Sequence, residues 1–95
     1  MSETELLFEI WEEPQFNCVG VTMVTRDGDA LRASMSPDAV FIHSFTAVSD
    51  FDACQKNHDF HGWGRWRPEP DWQERFFTED ERAVQVAYLK DRAKV

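Results

Sequence analysis

The chain has 95 residues, with ten basic and 18 acidic side chains and a net charge of −8. This length predicts a single domain, and the acidic surplus argues against binding to nucleic acid or anionic membranes, because phosphate groups are bound mainly by Lys and Arg. Two cysteines are too few for a disulfide framework, so both thiols are expected to be reduced.

The start of the chain has the two-residue hydrophobic period of β-strands. Residues 4–12 place Leu6, Phe8 and Ile10 on one side of a predicted strand. Residues 17–26 alternate in the same way. We therefore expect two consecutive strands at the beginning of the chain.

A hairpin turn is predicted after the second strand. Asp27 and Gly28 are residue types that adopt the positive φ angles of tight hairpin turns, and residues 30–35 would then form the return strand. Residues 40–47 are the most apolar run of the chain and carry apolar side chains on both faces. Strands that are covered on both faces lie inside a sheet, which predicts a central position for residues 40–47.

A helix is predicted after this strand. Ser49 and Asp52 have the spacing of a capping box, although Asp replaces the usual Glu or Gln. The helix is expected to run to about Phe60, and Gly62 is the natural residue to end it in the left-handed conformation.

The last part of the chain predicts an irregular segment followed by a second helix. Residues 62–77 contain prolines that exclude a helix near their start. Thr78 and Glu81 form a full capping box, and the helix is expected to run to about Ala93. The sequence thus predicts one α+β domain over residues 1–95, an antiparallel β-meander of three to four strands with two helices packed on one face.

One face of the first helix carries residues that can bind a metal. Cys54, His58 and His61 are four and three residues apart, and His43 on the preceding strand offers a fourth ligand. The spacing matches no established zinc pattern, and Cys and neutral His also pack well in small cores. Packing is the favoured interpretation, with no metal or cofactor expected. A metal site is the alternative, and a Cys54–His58 nucleophile pair is disfavoured because inward-facing thiols are usually inert.

The segment after this helix alternates Trp and Arg. Trp63, Arg65, Trp66 and Arg67 can stack on bases, but acidic residues close by cancel their charge, so nucleic-acid binding is not expected. Two interpretations stay open: a protein interface, or a hydrophobic layer over the sheet made of Trp63, Trp66, Trp72, Phe76 and Phe77. We expect Trp63 to lie inside near Phe60 and Trp66 to turn outward.

The same corner resembles a known group of sequences. The residues that carry the likeness are Ala53, His58, Phe60, Gly62, Trp63, Trp66 and Pro68. Over about residues 45–70 the chain resembles a loose group of small bacterial and phage-type proteins that have no assigned function. The resemblance implies a shared helix-to-loop corner and brings no known activity.

These observations favour a small acidic, non-enzymatic cytoplasmic protein that acts by binding another protein. It would be a phage- or mobile-element-type accessory or inhibitor protein, and its partner would offer a basic surface rather than nucleic acid or membrane. The interface candidates are Trp63, Arg65, Trp66, Arg67, Glu9, Glu12 and Glu13. The alternative is a small metal-binding protein that uses His43, Cys54, His58 and His61.

Overall fold

The computed structural model describes residues 4–16 and 18–93. The strands are β1 (Leu6–Glu13), β2 (Cys18–Met23) and β3 (Val40–Ala47), and they form an antiparallel sheet in the order β2-β1-β3. The helices are α1 (Arg26–Met35), α2 (Asp50–His61) and α3 (Glu79–Ala93). The predicted α+β class is confirmed. Within the described ranges, no helix is long and apolar enough to cross a bilayer.

The most apolar strand lies at an edge of the sheet, so the predicted central position of residues 40–47 is wrong. The central strand is β1, whose Ile10 side chain is fully buried. In β3, Val40, Phe41 and Ile42 are 38–51% exposed. The chain reaches this edge because α1 comes between β2 and β3, so β3 pairs with β1 instead of continuing a meander.

The predicted hairpin turn and return strand are wrong, because that segment forms α1. The Thr25 side chain caps the helix by accepting a hydrogen bond of 2.9 Å from the Gly28 N–H. Asp27 and Asp29 lie in the first turn, where the helix dipole favours negative charge. A Cβ on Gly28 would come within 2.5 Å of the Met23 carbonyl oxygen. This glycine therefore permits a close approach between helix and strand.

The contacts place α2 and α3 on opposite faces of the sheet. Ala53 of α2 lies in the core cluster with Leu6 and Phe8 of β1. Arg92 of α3 binds Glu9, which alternates with Phe8 along β1 and so points to the other face. The predicted packing of both helices on one face is therefore not confirmed.

Both ends of α2 are where the sequence predicts them. The Ser49 hydroxyl accepts a hydrogen bond of 3.0 Å from the Asp52 N–H. Gly62 follows the last turn in the left-handed conformation, with a φ of 72°. The next N–H, from Trp63, donates to the His58 carbonyl at 3.0 Å, which closes the helix end.

We expect Gly62→Ala to lower the free energy of unfolding by about 1 kcal/mol. No atom lies within 4 Å of the position that a Cβ would take, so the cost comes from the left-handed backbone alone. Gly20→Ala is the matched control, because its Cβ would also meet no atom within 4 Å and its φ is not positive. Urea unfolding should separate the two variants, and equal stability would contradict this account of the helix end.

α3 begins at the predicted capping box, and its Gln85 side chain forms hydrogen bonds with the sheet. The Glu81 N–H donates to the Thr78 hydroxyl at 3.3 Å, and the Thr78 N–H donates to the Glu81 carboxylate at 3.0 Å. Further along α3, the Gln85 amide nitrogen donates to the carbonyls of Leu7 and Val24, and its oxygen accepts from the Leu7 N–H. These bonds satisfy backbone groups at the point where β2 has ended beside β1.

Candidate functional site

A row of aromatic and imidazole rings, here called the aromatic strip, crosses the surface from β3 to the end of α2. His43 stacks on Phe60 with ring centroids 4.4 Å apart. Phe60 meets His61 edge-on at 5.1 Å, and His61 stacks on Trp63 at 4.2 Å. His43 is exposed, Phe60 is 45% exposed and Trp63 is 54% exposed. The strip therefore presents three exposed rings to solvent, with the half-buried His61 joining Phe60 to Trp63.

The edge strand beside the strip is protected against pairing with another strand. The register of β3 shifts opposite Ile10, which marks a β-bulge. The Lys56 ammonium donates to the Thr46 carbonyl at 2.7 Å. Bulges and lysines are common protections of sheet edges. Binding at this edge would therefore use side chains, including the exposed Val40 and Ile42, rather than backbone pairing.

Trp63 and Trp66 take the opposite positions from those predicted. Trp63 is exposed, whereas Trp66 is half-buried and its ring meets Phe51 edge-on at 5.2 Å. Gln55 of α2 provides the reason. Its side-chain oxygen accepts from the Trp66 N–H at 2.9 Å, and its nitrogen donates to the Gly64 carbonyl at 3.2 Å. These bonds fold the loop back over α2 and carry Trp66 inward.

We expect Trp66→Ala to cost about 2 kcal/mol of stability, below the range for fully buried tryptophans, and Trp63→Ala to cost less than about 1 kcal/mol. Fluorescence quenching by iodide provides an independent measurement. Trp63→Phe should remove more of the iodide-accessible emission than Trp66→Phe. Equal losses from the two variants would contradict the inward position of Trp66.

Arg65 and Arg67 flank Trp66 and are exposed. Because Trp66 packs against Phe51, the alternating Trp and Arg residues do not share one stacking surface. Arg65 and Arg67 are therefore two exposed charged side chains with no exposed aromatic ring between them.

The aromatic side chains after α2 do not form one hydrophobic layer. Phe77 is buried at 5% exposure and packs near Phe8, with centroids 5.9 Å apart. In contrast, Trp63, Trp72 and Phe76 are 53–57% exposed. The layer interpretation thus holds for Phe77 and in part for Trp66, while the other three rings are surface groups.

The candidate metal ligands of the alternative interpretation are not brought into one group. His43 stacks on Phe60, while His58 and His61 lie against the ring of Trp63. Over residues 4–16 and 18–93, no set of three or more His, Cys, Asp or Glu side chains could hold a metal ion. The three histidines thus take part in ring packing at exposed and half-buried positions.

Cys54 has the properties of a packing residue. Its side chain is half-buried, and burial raises the pKa of its thiol, with a further increase from the negative charge of Asp50. The thiolate is both the nucleophile and the metal-binding form, and a raised pKa reduces its population. Both chemical roles considered for Cys54 are thereby disfavoured.

Glu9 is not accessible as an interface residue, which corrects its place among the candidates. It is 7% exposed, and Arg92 donates to both of its oxygens, at 2.8 and 2.9 Å, while the Trp11 indole donates at 3.2 Å. Burial raises the pKa of Glu9, but the hydrogen bonds from Arg92 and Trp11 outweigh it and the pKa lies below its ordinary value. Glu12 and Glu13 are half-buried at the end of β1.

The sequence interpretation missed a groove between β2 and α1, here called the β2–α1 groove. Its cavity measures about 400 Å³. Leu31 and Met35 stand on its α1 side and are 61% and 72% exposed. Their spacing of four residues is typical of one helix face and could have indicated a helix. The Asp27-Gly28 pair favours a hairpin turn with a return strand after it, and this prediction conflicts with the helical spacing.

The chain matches no protein-family model, no curated protein and no solved structure. Its function is therefore inferred from its own side chains and their geometry.

Proposed function

We propose that this protein is a small non-enzymatic cytoplasmic protein that binds another protein through the aromatic strip. The observation that carries this proposal is the continuous row of rings from His43 to Trp63, with Phe60 and Trp63 about half exposed. Large contiguous apolar patches are uncommon on monomers that bind nothing. Aromatic side chains contribute much of the binding energy at protein interfaces.

The strip also has a charged setting that suits a basic partner. Asp59 is exposed beside Phe60, and Glu12 is paired with Val40 at one end of β3. The whole chain carries a charge of −8. Such a surface attracts partners that surround an apolar contact with Lys or Arg, and it repels nucleic acid and anionic membrane surfaces.

Several side chains argue for binding rather than catalysis. The raised pKa of the Cys54 thiol disfavours a nucleophile. His58 and His61 face the indole of Trp63 rather than a group that they could activate. Ring stacking of this kind fixes the shape of a contact surface.

Affinity capture from the native host tests the proposal with matched variants. The strip variant is Phe60→Ser with Trp63→Ser, and the control is Trp72→Ser with Phe76→Ser. Each pair removes two exposed aromatic rings, because Trp72 and Phe76 are 57% and 53% exposed but lie outside the strip.

The wild-type protein and the control variant should retain the same partner, and the strip variant should bind it at least about tenfold more weakly. Added salt should slow association, since the charged rim steers the encounter. If the control variant loses the partner and the strip variant keeps it, the interface lies elsewhere. Failure of both variants and of wild type to retain any protein would remove the proposal.

A further inference from the structure

We propose that the β2–α1 groove binds a small amphiphilic carboxylate, a molecule with an apolar body and one carboxylate head, such as a medium-chain fatty acid. The cavity of about 400 Å³ falls within the size range of small-molecule sites. None of the four rings of the aromatic strip lines this groove. The inference therefore stands independently of the proposed protein partner.

The walls of the groove suit the apolar body of such a ligand. Leu31 and Met35 lie on one side of α1 and are 61% and 72% exposed, so a bound chain would remove their apolar surface from water. Opposite them, Gly20 of β2 has no atom within 4 Å of its Cβ position. The absence of a side chain at Gly20 leaves open space between the strand and the helix.

Arg32 supplies a binding group for the head. Its guanidinium lies over the Trp11 indole, 3.6 Å from the ring centroid. Among the described residues it makes no ion pair, and its Nε has no hydrogen-bond partner. Thr22 also lines the groove, but its hydroxyl oxygen and the Arg32 Nε are buried atoms. A planar guanidinium binds a carboxylate through two parallel hydrogen bonds, which the two terminal nitrogens of Arg32 can donate.

Two carboxylates of the protein lie near this site, but neither forms an ion pair with Arg32. Glu9 is already held by Arg92 and the Trp11 indole. Glu13 lines the groove two residues beyond Trp11, at the end where β1 pairs with Cys18. Its charge repels a carboxylate head from that end. The head is thereby directed to Arg32, and the apolar body extends along α1 toward Met35.

Isothermal titration with decanoate, octanoate and decanamide tests the ligand class on the full chain. Decanoate should bind with a single equivalent. Octanoate should bind about tenfold more weakly, because it buries two methylene groups fewer. Decanamide has the same chain without the charge, and we expect it to bind at least about tenfold more weakly than decanoate.

Three variants locate the site. Arg32→Met keeps an apolar side chain of similar length and should weaken decanoate at least about tenfold, with little effect on decanamide. Gly20→Phe should fill the groove and abolish binding of both ligands. Arg26→Met is the control, because Arg26 lies on the same helix but pairs with Asp91 outside the groove. The Arg26→Met variant should bind decanoate with the same affinity as the wild type.

Alkylation of Cys18 keeps the test decisive if Gly20→Phe does not fold. Cys18 is exposed at the groove, whereas Cys54 lies elsewhere on α2. Decanoate should slow iodoacetamide modification of Cys18 but not of Cys54, as read by mass spectrometry. The proposal is overturned if wild type binds no decanoate, if acid and amide bind equally, or if Cys18 gains no protection.

Discussion

Arg92→Met should lower the free energy of unfolding by about 2–4 kcal/mol at neutral pH, somewhat below the range for removing one partner of a fully buried ion pair, because the Arg92 side chain is 32% exposed. Arg92 of α3 donates to both oxygens of Glu9 on β1, and its Nε lies 3.2 Å from the Asp29 carboxylate on α1. The Glu9 and Asp29 side chains are only 10% and 12% exposed. Without the guanidinium, both carboxylates lose a cation that water cannot fully replace.

Arg26→Met is the control for this substitution. Arg26 also bridges to α3, through Asp91 at 3.1 Å, but the two side chains are 69% and 59% exposed. An exposed pair contributes less than about 1 kcal/mol, because water screens it. Urea unfolding of both variants gives the comparison. Equal losses would mean that Arg92 acts as an ordinary surface residue and that the buried network does not exist in solution.

The pH dependence provides a second measure of the same network. The pKa of folded Glu9 lies below its ordinary value, so its contribution to stability is present above that value and is lost as the pH falls through the folded pKa. In Arg92→Met, both lowering effects of Arg92 are lost while burial remains, so the pKa of Glu9 should be higher than in the wild type. The folded variant then takes up a proton at a higher pH than the wild type does. The stability difference between wild type and Arg92→Met should therefore shrink from neutral pH to about pH 4.

The helix ends show which features a sequence can predict. The Ser49 cap, the Gly62 end of α2 and the Thr78 capping box are all present. Each depends on a hydrogen bond or backbone angle between residues at most five positions apart, so the sequence contains the whole signal. Thr25 has the same capping role, but the Asp-Gly pair that follows it also fits a hairpin turn. Local residue types alone do not distinguish these two structures.

The burial of Trp66 and Glu9 depends on contacts with residues that are distant in sequence. Trp66 turns inward because Gln55, eleven residues earlier, binds its backbone N–H. Glu9 is buried because Arg92, 83 residues away, reaches it from α3. Nothing in the sequence around Trp66 or Glu9 indicates either contact. Of the predicted interface residues, Trp63 belongs to the aromatic strip, whereas Trp66 and Glu9 do not. The other members of the strip are His43, Phe60 and His61.

Phe77→Ala should lower the free energy of unfolding by about 3–5 kcal/mol, the cost of emptying a buried phenylalanine site. The Phe77 ring is 5% exposed and lies 5.9 Å from Phe8 between centroids. The Phe77 N–H also donates to the Val48 carbonyl at 2.9 Å, which holds the irregular segment to the end of β3. Alanine preserves this backbone bond, so the expected loss of stability comes from the cavity that the ring leaves.

Phe76→Ala is the matched control, since it deletes the same ring from the adjacent position. Phe76 is 53% exposed and pairs with Ser49 only through an isolated backbone bridge, which Ala preserves. Its loss should cost less than about 1 kcal/mol. Thermal unfolding of the two variants compares their losses of stability and so shows which of the two rings is buried in the core. If Phe76→Ala were the more damaging change, the segment would have to be rotated by one residue, with Phe76 rather than Phe77 in the core.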